Sequence, residues 1–257
     1  MHIVFHLFGF DIPAYGLMIS IGIILANLIA YILLKQEKRS FDDLLLYEAY
    51  IALGGFFGAK LLYLFTIFDS IEWSQLYRFQ YFNDLIRGGF VFYGGLIGGF
   101  LSMIVAGRIH HLDTAYYSSK LVFLVPFCHA FGRIGCFMAG CCYGIKYTGP
   151  LHVVFPSNSY APSGIPLFPV QIVESILLFV ISLIIFILMK QLHFRYTIEL
   201  YGCSYSVLRF FLEYLRYDDM RGIYFGLSTS QWISILIFLL SAFSIIIRQF
   251  FPVKNSE

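Results

Sequence analysis

Phe127-Cys-His-Ala-Phe-Gly-Arg-Ile-Gly-Cys-Phe-Met-Ala-Gly-Cys-Cys-Tyr-Gly144 places a guanidinium, Arg133, at the end of an apolar run with glycines on both sides. Such a charge must be held by an anion or by water, because an unpaired charge in an apolar medium costs many kcal/mol. Inside a membrane protein an ionisable side chain of this kind marks a functional site by default. The remainder of the chain shows that a membrane protein is what this is. Of 257 residues, 59% are hydrophobic and 12% charged, with 29 Phe and 19 Tyr. A soluble domain carries about 25% charged residues. The formal net charge of +2, with no dense basic run, argues against nucleic-acid binding.

Apolar stretches of about 18 residues or more mark helices that cross the hydrocarbon core. Seven are expected, at about 12–34, 44–66, 88–106, 115–137, 169–189, 197–215 and 229–247. The fold class is therefore an all-α integral membrane protein, a single transmembrane domain over residues 1–257 with a partly irregular outer loop. Residues 1–11 show no pattern of a cleavable signal. Lys35, Lys38, Arg39, Arg108, Lys190, Arg195, Arg248 and Lys254 fall on one side of these spans. Arg78, Arg87, Lys146, Arg216 and Arg221 fall on the other, diluted by Asp69, Glu72, Asp84, Asp218 and Asp219. Positive charge stays inside, so the N-terminus is expected outside and the C-terminus in the cytoplasm. The outer loops are about 67–87 and 138–168; Leu151 to Phe155 alternates as a short strand does.

The charges left near the spans sort by position. Lys120 and Glu199 are expected to snorkel at helix ends, and Lys60 and Glu48 to be structural, pairing with each other or facing the bundle. Arg133 and Arg209 lie toward the outer ends of their helices. Arg209, Glu213 and Arg216 follow at i, i+4 and i+7, a spacing that puts all three on one helical face. That pattern fits a self-neutralising ladder, or an anion site in which guanidinium forks bind a lipid phosphate bidentately. Gly94/Gly98 and Gly95/Gly99 fit close helix packing. Gly132, Gly135, Gly140 and Gly144 bracket Arg133, where backbone N–H groups can approach a ligand.

These residues carry a resemblance to the bacterial prolipoprotein diacylglyceryl transferases. The hallmark is Gly132-Arg-Ile-Gly-Cys-Phe-Met-Ala-Gly-Cys-Cys-Tyr-Gly144. Tyr15-Gly-Leu-Met, Tyr93-Gly-Gly-Leu-Ile-Gly98, Val-Val-Phe155-Pro and Pro169-Val-Gln171-Ile-Val-Glu174 also match in order. So do Tyr205-x-x-x-Arg209-x-x-x-Glu213-x-x-Arg216 and Ser228-x-x-Gln231. The resemblance implies seven helices, a bacterial plasma (inner) membrane location and an active site near the outer leaflet. It implies transfer of the diacylglyceryl group of phosphatidylglycerol to the cysteine thiol of a prolipoprotein signal peptide, with glycerol phosphate leaving. Arg133, Arg209, Tyr93 and Glu213 would be catalytic; Tyr15, Gly94, Gly95, Gly132, Gly135, Cys136, Gly144, Tyr205 and Arg216 would bind substrate. In this picture Arg133 and Arg209 grip the phosphate, Glu213 and Arg216 orient Arg209, and a mobile loop at about 138–168 admits the peptide. No cofactor or metal is implied, and a monomer is expected.

The chain also departs from the family pattern. Tyr93 stands where typical members have His, Cys136 where they have Asn, Cys141 where they have Glu, Ile145 where they have Arg, and Phe168 where they have His. Cys136, Cys141 and Cys142 read as packed small residues, as a disulfide pair on an oxidising side, or as metal ligands at unusual spacing with His129 a turn or two away. Two function classes stay open: a transferase, including a paralogue with another thiol acceptor, or a non-catalytic membrane protein that binds or transports phospholipid headgroups. Tyr93 favours the second; the intact Arg133, Arg209, Glu213 and Tyr15 favour the first.

Overall fold

Each of the seven apolar runs is helical in the computed structural model, which describes residues 4–7, 10–217 and 222–250. The orientation charges Asp218, Asp219, Arg221 and Lys254 lie outside the described residues. A hairpin of β1 (Val4–Leu7) and β2 (Phe10–Pro13) leads into α1 (Ala14–Gln36), followed by α2 (Phe41–Thr66). The segment after α2 holds two short 3-10 turns and α3 (Phe79–Arg87), then α4 (Phe92–Ile109). Next come α5 (Thr114–Leu121), α6 (Leu124–Ala139), the β3–β4 hairpin (Val153–Val154 with Pro166–Leu167) and α7 (Val170–Leu192). α8 (Thr197–Leu212), the β5–β6 hairpin (Ile223–Tyr224 with Leu227–Ser228) and α9 (Thr229–Phe250) complete the order.

Among the described residues four helices, α1, α2, α7 and α9, are long and apolar enough to cross a membrane; α5 and α6 together make a fifth candidate, a pair bent by 51°. The expected continuous helix at 115–137 is thus two helices. Pro126 has no N–H to give the Val122 carbonyl, which accepts from Val125 N–H at 3.0 Å instead, and the Phe123 carbonyl accepts both Phe127 N–H at 3.4 Å and Ser182 Oγ at 2.8 Å. A break closed by a neighbouring hydroxyl is how an apolar environment tolerates one.

The chain divides into two units, residues 33–117 and residues 1–32 with 118–257. In the first, α2 and α4 meet through glycine. A Cβ on Gly98 would stand 3.0 Å from Gly58 Cα, and one on Gly58 would stand 2.9 Å from Gly98 Cα. Gly94 faces Gly58 and Leu62, so it serves this backbone-to-backbone contact, the small-residue packing its spacing suggests. Gly98→Val should destabilise this unit by about 1–3 kcal/mol through overpacking, read as a lower unfolding temperature in detergent. Lys60 does not pair with Glu48. Twelve residues of helix separate the two by about 18 Å, and the Lys60 ammonium instead donates to the Leu85 carbonyl at 2.7 Å and the Gly88 carbonyl at 3.2 Å.

In the second unit α6 is central. α1 packs on it where Gly22 lets Phe131 approach, and a Cβ on Gly135 would come 3.0 Å from Tyr15 Cα. α7 packs on it with Ser175 Oγ donating to the Ala130 carbonyl at 3.0 Å. α8 and α9 close through Gly202 against Ser241. Glu199 is a correction: it is buried and does not snorkel, because Arg248 at 2.6 Å and Ser244 at 2.9 Å neutralise it between α8 and α9.

The 140–168 segment is more ordered than an irregular loop. Gly140, at φ +77°, ends α6 in the left-handed conformation that favours glycine. Phe155, Ala161 and Leu167 form a small core under the β3–β4 hairpin, with Phe137, Tyr143, Val153 and Ile165 around it. Ile145 N–H donates to the Leu215 carbonyl at 3.0 Å, and Tyr217 N–H to the Tyr143 carbonyl at 3.2 Å. The loop is therefore tied to the end of α8.

Candidate functional site

Arg133 faces α7 from the last two turns of α6, and it is buried to 6% exposure. Its Nη2 stands 2.8 Å from Glu174 Oε2, and Glu174 is 2% exposed. Two buried charges in contact repay their desolvation only when well paired. Glu174 therefore fixes Arg133 rather than leaving it free to turn. Nη1 points at Cys136 Sγ, 3.8 Å away, and Nε and Nη2 are buried without a hydrogen-bond partner among the described residues, the Glu174 contact being an ion pair. His129, one helical turn before Arg133, reaches to 4.0 Å from the other Glu174 oxygen and packs its ring against Tyr205 at 5.3 Å.

A second guanidinium arrives from α8. Arg209 Nη2 is 2.6 Å from Glu213 Oε2 and 3.2 Å from Ser230 Oγ, while its Nη1 is buried without a partner among the described residues. Ser228 Oγ donates to Glu213 Oε1 at 2.9 Å, so the β6–α9 corner orients the carboxylate that orients Arg209. The shared helical face expected for three charges holds for two of them. The α-helix ends at Leu212 and tightens into a 3-10 turn at Glu213–Leu215, which leaves Arg216 extended at φ −96°, ψ 140° and bridged to Gly144. Arg216 nonetheless stays within electrostatic reach of Arg209 and of Tyr205. Tyr205 also senses Glu174 and Arg133, and Tyr15 senses Arg133 and the three thiols.

The structure thus gathers Tyr15, Arg133, Cys136, Tyr205, Arg209, Glu213 and Arg216 in one unit. With His129 neutral, three guanidiniums (Arg133, Arg209, Arg216) face two carboxylates (Glu174, Glu213), a net single positive charge. Such a cluster suits a monoanion, and the orphaned N–H donors of Arg133 and Arg209 are polar atoms that burial should otherwise not leave unsatisfied. Tyr93, Gly94 and Gly95 belong to the other unit, Tyr93 being 36% exposed at the start of α4. Among the glycines around Arg133, Gly132 has open space, its nearest neighbour being Ile19 at 3.9 Å. Gly135 and Gly144 are filled by Tyr15 and by Phe168 with Leu215, so both serve packing.

Two polar residues in α7 were missed as site members. Glu174 is the carboxylate of the Arg133 pair, and Gln171, fully buried, donates to the Cys141 carbonyl at 2.9 Å. Their signal was present: polar side chains at i and i+3 inside an apolar helix must face the same interior partner.

All five cysteines are free thiols. Cys136, Cys141 and Cys142 nevertheless converge, their sulfurs lying within 4.8 Å of one another. Cys142, beyond the end of α6, lies within electrostatic reach of Arg216 and Arg133.

Comparison with known proteins gives the family. A family model for prolipoprotein diacylglyceryl transferase matches residues 2–247. A Clostridium perfringens protein named phosphatidylglycerol–prolipoprotein diacylglyceryl transferase 2 is 37% identical over 238 residues, covering 91% of this chain and 90% of that protein. A Clostridium tetani protein named phosphatidylglycerol–prolipoprotein diacylglyceryl transferase is 36% identical over 253 residues, covering 96% and 98%. A similarly named Pasteurella multocida protein is 29% identical over 250 residues, covering 93% and 89%. With a match across almost all of its length and relatives of equal span, this chain belongs to the prolipoprotein diacylglyceryl transferase family.

Proposed function

We propose that this protein transfers the diacylglyceryl group of phosphatidylglycerol to the cysteine thiol of a prolipoprotein signal peptide. The observation that carries this reading is the paired-arginine cluster: two guanidiniums, each ion-paired with its own carboxylate and each keeping buried N–H donors without a hydrogen-bond partner among the described residues. A phosphodiester carries one negative charge, which balances the cluster's excess. In the reaction the thiol sulfur attacks the glyceryl carbon, the C–S bond forms, the C–O bond to phosphate breaks, and glycerol phosphate leaves with the electron pair. Negative charge grows on the leaving phosphate, and donors already aimed at it stabilise the transition state without reorganising. Tyr15 and Tyr205 supply hydroxyls to the headgroup, Arg216 adds positive potential, and Gly132 leaves room beside Arg133. Gly94 and Gly95 hold α4 against α2 and so set the backbone that carries Tyr93, and Cys136 lines the site beside Arg133. Tyr93 takes the role of proton acceptor for the thiol.

All seven helical segments span the bacterial plasma membrane in this proposal, with the N-terminus outside and the C-terminus cytoplasmic. The chain, residues 1–257, acts as one transmembrane domain and as a monomer. What supports seven spans is that α4, though short of a full crossing length, is an apolar helix with Ile97, Phe100 and Leu101 exposed, and that α8 exposes Val207 and Phe211.

The test is release of glycerol phosphate from phosphatidylglycerol by purified protein, with a lipobox peptide and with its Cys→Ser counterpart. Release that requires the cysteine supports the transferase. Binding of phosphatidylglycerol with no release in either case supports a headgroup-binding protein instead. In the same assay Tyr93→Phe should lower the rate by about 10²-fold or more, the worth of a positioned proton acceptor, with unchanged affinity for the lipid. A rate equal to wild type would remove Tyr93 from the mechanism.

A further inference from the structure

Cys141 and Cys142, which converge on Cys136, are a feature that the transfer reaction does not use. Cys136 comes from the last turn of α6, and Cys141 and Cys142 return to it after the left-handed turn at Gly140. The return is forced: Cys142 itself sits at φ +54°, a left-handed conformation that a side chain with a Cβ rarely adopts. Such a conformation is unfavourable and persists where its surroundings require it. What the turn achieves is to bring two neighbouring thiols toward the same third sulfur. Gln171 clamps the Cys141 carbonyl from α7 at 2.9 Å, so the loop is pinned from outside as well.

Three thiols this close offer one another few acceptors, and three thiolates would repel unless a cation lay between them. Cys136 is buried while Cys141 and Cys142 are half-buried, which gives the group a solvent-facing side. No His, Asp or Glu among the described residues joins the three. We propose that Cys136, Cys141 and Cys142 form a three-sulfur site for a thiophilic d10 cation, monovalent copper in trigonal coordination.

The geometry admits it. At a metal–sulfur distance of about 2.3 Å, trigonal sulfurs stand about 4.0 Å apart, inside the 4.8 Å that bounds this group. Soft thiolates select soft ions, whereas zinc in a structural site takes a fourth protein ligand that the cluster does not offer. The step balances as three protons released for one cation bound, leaving a tris-thiolate centre of charge −2. Arg133 Nη1, 3.8 Å from Cys136, and Arg216, within electrostatic reach of Cys142, offset that charge. Binding here does not depend on the proposed reaction, so it can stand or fall separately.

The experiment is an anaerobic titration of the full-length, fully reduced protein in detergent. Cu(I) is offered in competition with a chromophoric chelator, and Zn(II) is offered in a second arm. The expected result is one equivalent of Cu(I) per chain with a near-ultraviolet sulfur-to-copper absorption. Cys141→Ser and Cys142→Ser should each lose at least the ~100-fold in affinity that removal of even an outer-shell partner can cost. Cys203→Ser, in α8, should bind as wild type does, and size-exclusion profiles should show that each variant folds. Absence of stoichiometric Cu(I) uptake by reduced wild type overturns the proposal, as does wild-type affinity in Cys141→Ser. Tighter binding of Zn(II) than of Cu(I) overturns the choice of ion.

Discussion

Arg133→Ala should reduce transfer by about 10²- to 10³-fold, the cost of removing one donor from a site of developing negative charge. It should also destabilise the protein by about 3–5 kcal/mol, because Glu174 would be left as an uncompensated buried charge. The two effects separate in a double variant. Arg133→Ala with Glu174→Ala removes both members of the 2.8 Å pair and should recover most of the unfolding temperature but none of the activity. Glu174→Gln alone should keep the guanidinium and loosen its aim, giving an intermediate rate. If the double variant transferred lipid at the wild-type rate, Arg133 would be a structural charge and nothing more.

Arg209→Ala should also lower the rate by about 10²- to 10³-fold, with a much smaller loss of stability. Its partner Glu213 keeps the Ser228 hydroxyl at 2.9 Å when the guanidinium is gone, and Arg209 itself is only partly buried. Arg209→Lys tests the fork rather than the charge. A lysine ammonium cannot hold Glu213, Ser230 and a phosphate oxygen in one plane. It should retain the positive charge and still fall well short of wild type. Rates measured against phosphatidylglycerol concentration, alongside thermal unfolding of each variant, check both statements. Equal activity in Arg209→Lys and wild type would show that only charge matters there.

The difference between these two arginines also marks what the sequence could tell. Arg209 and Glu213 are four residues apart on one helix, so their 2.6 Å pair follows from periodicity alone. Arg133 and Glu174 lie on different helices, and no spacing rule connects them; only the oddity of two charges in apolar runs hinted at a pair. Long apolar stretches marked the positions of all seven helical segments, because an apolar run of that length satisfies its backbone best as a helix. The break between Leu121 and Leu124 was carried by Pro126, visible but unweighted in a run otherwise apolar throughout. Arg216 was misplaced on the helical face because periodicity assumes that the helix continues, and the 3-10 turn at Glu213–Leu215 ends it. The thiol cluster was least legible. Its convergence depends on a left-handed Cys142 next to a left-handed Gly140, and local preference argues against the former.

The central claim is that the arginine pair serves a carbon–sulfur bond-forming transfer. Its most direct test is the mass of a lipobox peptide after incubation with purified protein and phosphatidylglycerol. The account predicts a peptide heavier by one diacylglyceryl group, attached at cysteine through a thioether that survives mild base and hydroxylamine. That product should disappear with Arg133→Ala. An unmodified peptide with active, folded protein, or an adduct cleaved by hydroxylamine as a thioester would be, would contradict it.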